Sequence, residues 1–567
     1  MPDPVRQNPA ARPKNKRFGN RNDRDWKTKN PENRNDRQGR KEAAGVEMRK
    51  ANRENIFVCA AFAFFFCFSC YKLTAAPLWY DEAIEFYFSK YLTGPIENVT
   101  DLGNLYERLV YYGFQPPLYN LVMWVWLLFG ESELWFRFSC VVFAAGSAAG
   151  IFYTVKKENG RSAAAAAGFI YPLVYEIMYY FRECAEYALL LMFLTWTVYF
   201  FSRALEKCGN KELLIFTLLC VLDVYSQYGA VFIVVPMALG VLIEKWRKEK
   251  EKLKILLPAY AAAAVCGGFP LYWWFIRVQL SVQENHMIHS TVSFLKGNLF
   301  YDFFKNLSLT FSWCLIDNES IERFEILTAL GLVGILVLSV FVVAFGKNRI
   351  LKHLIFVNAA SWVLYYSLVK LNIYAYGGFG NRYNVFFVPV WFVSMVLIVC
   401  ESGKIIKERF QKRYAAYALI TVSLLASLFL AALNLRKMPH IFEKSHTREA
   451  VDVWYELEGY KAFTYVCFGE NVSFEYYLTH HEEYEEGYKD RIFMETGNEN
   501  VDTSEKEPEE YIAFVKEKCG GELPEQMFVS TGNRFGIVRA LEGCGYQIDR
   551  VYETNTTLYH IYRDGQQ

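Results

Sequence analysis

Charged residues are scarce in this chain. They make up 21% of 567 residues, against 53% apolar and 17% aromatic, and they are gathered in blocks instead of being interspersed. Average globular usage is about 25% charged with both signs mixed, so this pattern argues against an ordinary soluble domain. It indicates a polytopic membrane protein with soluble ends. Cys/His clusters at metal-ligand spacing are also missing. Most of the thirteen cysteines, Cys59, Cys67, Cys70, Cys140, Cys220, Cys266 and Cys400 among them, fall in apolar runs, where Cys acts as a small hydrophobe. Cys467, Cys519 and Cys544 lie near the C-terminus, leaving room there for at most one disulfide. No convincing repeat relates the two halves, which removes one mark of many transporters. A cleaved signal peptide is not expected, because the first apolar run follows a long charged tail.

That tail, residues 1–55, holds 16 Lys and Arg against 8 Asp and Glu, with few aliphatic residues and many Asn and Pro. It reads as a disordered basic cytoplasmic segment. A membrane helix needs about 20 apolar residues, and eleven spans are expected at 56–76, 134–155, 162–180, 187–202, 213–228, 229–243, 255–275, 324–345, 351–370, 384–400 and 414–433. The basic loops 156–161, 203–212, 244–254, 346–353 and 401–413 fall on alternate connections. Lys and Arg favour the cytoplasmic side, so all five share it with the N-terminus. The segments 77–133, 181–186, 276–323 and 371–383, and everything after 434, are then extracytoplasmic. Residues 116–130, PPLYNLVMWVWLLFG, are too short for a span and suit a helix lying on that outer surface.

Three segments from the outer side carry chemistry: LWYDEAIEF (78–86), QPPLYNLVMWVWLLFGESELWFRF (115–138) and FRECAEYALLL (181–191), with GNRYNVFFVPV (380–390) as a fourth. Their order resembles the polyprenyl-phosphate-sugar-dependent glycosyltransferases of the C-type (GT-C) membrane fold, the group of protein O-mannosyltransferases and the lipid A aminoarabinose transferase. The likeness covers roughly residues 56–435 and is most specific from 78 to 140. It implies a polytopic α-helical transferase domain at 56–433, with 77–133 as the catalytic first outer loop. It departs from the family at Gln115, where many relatives have His or Lys, and at Ala185 or Glu186, where an Arg is common. The resemblance implies Asp81 as general base, taking the proton of an acceptor hydroxyl as that oxygen attacks the anomeric carbon from the face opposite the departing phosphate. Glu82 would orient Asp81 or bind acceptor; Glu85 shares the Asp81 face if this stretch is helical.

The leaving phosphate calls for positive charge. Arg182 and Arg382 are best placed for it, with Arg277 and Lys296 behind them, although an interfacial Arg or Lys can also simply snorkel. Gln115, Glu183, Glu186, Tyr187, Asp223 and Tyr383 complete the expected substrate-binding set. An ionised Asp inside a span costs about 2.5 to 3.5 kcal/mol, so Asp223 is read as facing a cavity or partner; Glu176 raises the same question. Glu183 and Glu186 could instead pair with Arg182. His286 and His289 form an HxxH pair without a third ligand, so no metal site is assigned, while the resemblance leaves a divalent cation open. Residues 434–567 read as a small extracytoplasmic α/β domain, with strands near 461–469, 525–532 and 558–564 and helices near 509–521 and 534–545. The expected partners are a polyprenyl-phosphate-linked sugar donor, membrane lipid and a glycan, lipid or protein acceptor, with no nucleic acid. The alternative is a transporter or flippase of lipid-linked substrates.

Overall fold

The computed structural model describes residues 55–90, 115–206, 209–283, 299–371, 373–374, 381–442, 444–495, 506–532 and 534–563. Phe57–Gln567 make one compact unit. Seven described helices are long and apolar enough to cross a membrane: Glu133–Asn159, Glu186–Leu205, Tyr228–Lys248, Lys250–Gln279, Ser320–Phe345, Phe387–Glu408 and Arg413–Ile441. The other four expected spans are helical as well, but each falls short. Asn55–Cys70 is a shorter apolar helix. Residues 162–180 break into Arg161–Ile170, a 3₁₀ turn Tyr171–Leu173 and Tyr175–Tyr180, because Pro172 cannot donate to the helical ladder. Asn210–Ser226 has 17 residues and includes Asp223. Arg349–Lys370 is long enough but more polar.

Close packing holds the bundle together. Glu133–Asn159 lies against Glu186–Leu205, and a Cβ on Gly150 would stand 2.5 Å from Thr195 Oγ1 and 2.9 Å from its backbone. Only glycine permits that approach, the small-residue contact on which membrane helices rely. Ser320–Phe345 and Arg413–Ile441, by contrast, bury only 22% and 11% of their apolar windows, so their outward faces are built for lipid.

The five basic loops interlock at one end of the bundle. Lys157 pairs with Glu206 at 3.0 Å, and Arg349 pairs with Glu244. Asn348 Nδ2 donates to Glu158 at 3.1 Å, Lys404 Nζ to Asn159 at 2.6 Å and Lys252 Nζ to Asn210 at 2.8 Å.

The C-terminal region forms a five-stranded sheet in the order β2-β1-β3-β5-β4, with β1 Phe463–Val466, β2 Ile492–Met494, β3 Gln526–Thr531, β4 Tyr546–Glu553 and β5 Thr557–Arg563. β2, β1 and β3 run parallel, while β5 and β4 are antiparallel. The three strands and two helices expected from sequence are present. Helices Thr447–Glu456 and Asn471–Thr479 and strands β2 and β4 are additional. Cys467, Cys519 and Cys544 are free thiols.

Candidate active site

Helix Tyr80–Lys90 places Asp81 and Glu82 in its first turn, where the helix dipole favours acids. The segment leading into it is tied down almost residue by residue. Arg448 Nη2 donates to the Thr74 carbonyl at 3.0 Å and Arg137 Nη2 to that of Ala76 at 2.9 Å, while the Leu78 N–H donates to the Tyr477 hydroxyl at 2.5 Å. A backbone held this way has little freedom to move Asp81.

The two acids then diverge. Glu82 is 1% exposed, and Arg137 grips it with two parallel bonds of 3.0 Å, the strong bidentate geometry. The Cys184 N–H adds a third bond at 2.8 Å. Arg137 itself reaches Glu133 and the Arg182 carbonyl. Asp81 has a side chain 38% exposed, and its Oδ2 meets Arg382 Nη1 at 3.1 Å. Burial pushes the Asp81 carboxyl above the usual carboxylate range, and the charges of Arg382 and Lys444 pull it partly back.

Arg382 comes from a 3₁₀ turn, Asn381–Tyr383, that feeds helix Phe387–Glu408. Its guanidinium lies 5.3 Å from the Tyr383 ring, and its carbonyl accepts from Gln227 Nε2 at 3.0 Å. Glu186 and Tyr187 are near enough to interact with it electrostatically, and Tyr187 packs 4.5 Å from Tyr180. Thus Asp81, Arg382, Tyr383, Glu186 and Tyr187 form one cluster.

Gln115 occupies a second layer. Its Nε2 donates to Glu85 at 2.5 Å, and Asn120 Nδ2 donates to the same carboxyl at 2.7 Å. Burial raises Glu85 to about 7. Gln279 ties this layer to Tyr228, donating to the Gln115 carbonyl and accepting from the Tyr228 hydroxyl.

Arg182 points elsewhere. It donates to the carbonyls of Met178 and Phe68 and stacks on the Phe68 ring at 4.7 Å; burial lowers its guanidinium to about 10. The alternative salt bridge of Arg182 with Glu183 or Glu186 is not formed. Glu183 instead pairs with Lys444, whose ammonium lies 3.7 Å from the Tyr179 ring and 5.6 Å from that of Trp79. Asp223, fully buried, accepts from Thr197 Oγ1 at 2.6 Å and sits one helical turn before Gln227. Arg277 stacks on Trp273 at 4.5 Å. His286, His289 and Lys296 lie outside the described residues. Among the described residues no group of three or more His, Cys, Asp or Glu is placed to hold a metal ion.

Two cations of the site were given no role from the sequence. Arg137 had a signal, since a Glu/Arg pair at i, i+4 inside an apolar span asks for a buried purpose. Lys444 had none, standing in a connecting segment without a motif.

Residues 115–274 match the model of the dolichyl-phosphate-mannose-protein mannosyltransferase family. That stretch includes Gln115, Arg137, Arg182, Glu183, Glu186, Tyr187 and Asp223, and leaves Asp81 and Arg382 outside it. No curated protein matches the chain in sequence. Among solved structures, ArnT from Cupriavidus metallidurans bound to undecaprenyl phosphate is similar, with 13% identity, a TM-score of 0.50, and coverage of 89% of this chain and 97% of that one. The apo state of the same protein gives 12% identity, 0.51, 90% and 98%. The chain as a whole therefore shares the fold of ArnT, and its residues 115–274 carry the pattern of the mannosyltransferase family model.

Proposed function

We propose that this protein moves a sugar from a polyprenyl-phosphate-linked donor to an acceptor hydroxyl at the extracytoplasmic surface, inverting the anomeric centre, with Asp81 as general base. The observation that carries the reading is the accessible Asp81–Arg382 pair at 3.1 Å, set in a backbone clamped on both sides. The likeness to ArnT bound to undecaprenyl phosphate supports the class of donor.

In this reading, Asp81 Oδ accepts the acceptor's proton as its oxygen bonds to the anomeric carbon. The bond from that carbon to the phosphate oxygen breaks, and its electron pair leaves on the polyprenyl phosphate. Arg382, always charged and suited to phosphate, serves both ends of the reaction. Without donor it neutralises Asp81; the donor phosphate competes for the guanidinium and frees the carboxylate as the substrate arrives. Glu82, fully engaged by Arg137 and Cys184, positions Asp81 and does not meet substrate.

The test is donor turnover by purified protein in nanodiscs supplied with polyprenyl-phosphate sugars. General-base catalysis is worth about 10² to 10⁴, so Asp81→Asn should lower kcat at least a hundredfold on the order of that range, with donor KM little changed. Normal transfer by Asp81→Asn removes Asp81 from the role. A wild-type protein that consumes no lipid-linked sugar sinks the transferase reading.

A further inference from the structure

The C-terminal sheet has a topological switch beside Asp81. From β1 the chain crosses to β2 on one side, and β3 then returns to the other. The segments leaving β1 and β3 therefore diverge above Glu470, which packs against Gly532, and the carboxyl ends of such parallel strands are the place where open α/β sheets bind ligands.

What gathers there suits a ligand. Phe468 and Gly469 follow β1, Glu495 follows β2 and Arg534 follows β3. The Arg534 guanidinium lies over the Phe468 ring at 5.0 Å and makes only a loose pair with Glu495 at 3.9 Å. Glu495 also accepts from the Phe468 N–H at 3.1 Å. Gly469 has φ +97, and a Cβ built on it would meet nothing within 4 Å among the described residues. At the same strand ends, the buried atoms Ser530 Oγ and Asn471 Oδ1 have no hydrogen-bond partner among the described residues.

These strand ends adjoin the candidate active site directly. The Phe468 ring meets the ring of Tyr80 at 5.3 Å, and Tyr80 is the residue before Asp81. The rings meet edge to face at 63°, leaving an aromatic corner against which the C–H side of a sugar ring can rest. Arg534 and Glu495 supply planar donors and acceptors for neighbouring hydroxyls. We propose that the surface formed by Phe468, Gly469, Glu495 and Arg534 is the acceptor subsite, and that it holds a glycan so that one hydroxyl reaches Asp81. This inference rests on the transferase reading above.

The experiment measures donor consumption by the full chain in nanodiscs with three additions: a cell-envelope oligosaccharide fraction, a tryptic peptide fraction, or buffer. The glycan fraction should stimulate turnover saturably. Arg534→Ala and Phe468→Ala should raise its half-saturating concentration at least tenfold while donor KM stays within twofold. Arg534→Gln, similar in length, tests the charge if the alanine variant lowers the melting temperature. Unchanged half-saturation in the Arg534 and Phe468 variants, or stimulation by peptide alone, overturns the glycan subsite. Absence of donor consumption by wild type under all three conditions overturns the transferase reading instead.

Discussion

Asp81 and Glu82 are neighbours in sequence with opposite fates, and a turn of helix accounts for it. Successive side chains on a helix diverge by about 100°, so one carboxylate turns inward to Arg137 while the other faces the accessible side with Arg382. The Asp81 carboxyl sits above its ordinary range because burial outweighs the two nearby cations. As a base it works only when ionised, so activity should fall as pH drops through that raised value. Arg382→Gln removes the larger attraction and a hydrogen bond, so the acid limb of the kcat/KM profile should move to higher pH. Lys444→Met should move it the same way but less, because Glu183, already raised by burial, takes up a proton when its partner is lost. A limb unmoved in the Arg382 and Lys444 variants would show that the group titrating in that profile is not Asp81. The acid pair was legible in LWYDEAIEF; the division of labour within it was not, since it depends on which face of the helix is covered.

At the scale of elements, the Glu133–Asn159 helix does more than span. Its cap is conventional, with Ser132 Oγ accepting from the Trp135 N–H at 3.3 Å, but its first turns carry Glu133 and Arg137 into the protein. Glu133 meets Tyr477 from helix Asn471–Thr479, and Arg137 meets Glu82. Removing one partner of a buried pair leaves an uncompensated charge, at a cost of about 3 to 5 kcal/mol. Arg137→Leu should therefore lose roughly that much stability in thermal unfolding, and Glu82→Gln, after which Arg137 still holds Glu133 at 3.0 Å, should lose less. The spans were readable from apolar length and basic flanks. The break near Pro172 and the short Asn210–Ser226 helix were not, because proline chemistry and a buried acid act locally within runs that look continuous in hydropathy.

At the scale of the whole molecule, the interlocked basic loops and the Asp81 cluster belong to opposite ends of the helices that join them, and the C-terminal sheet docks at the Asp81 end through Tyr477, Arg448 and Lys444. From the positive-inside rule we propose that the basic end faces the cytoplasm. In a chain whose other cysteines are Ala, the exposed Cys544 should react with a membrane-impermeant maleimide in intact cells or spheroplasts. A cysteine introduced as Lys412→Cys should react only after permeabilisation. The reverse pattern would invert the topology and remove the extracytoplasmic assignment.

Composition and charge order by themselves determined that this is a many-spanning membrane protein with a soluble C-terminal part. The family resemblance added Asp81 as a base and offered Arg182 and Arg382 equally for the phosphate, without pairing Asp81 with either. Such features are local or periodic, and a one-dimensional reading captures them. Only the tertiary structure decided that Arg137 engages Glu82, that Arg182 is spent on backbone carbonyls, and that Lys444 and the ends of β1 and β3 come to the site. These choices depend on which of several similar charges reaches a partner first when 300 residues of intervening chain are packed, and no short-range pattern records that competition.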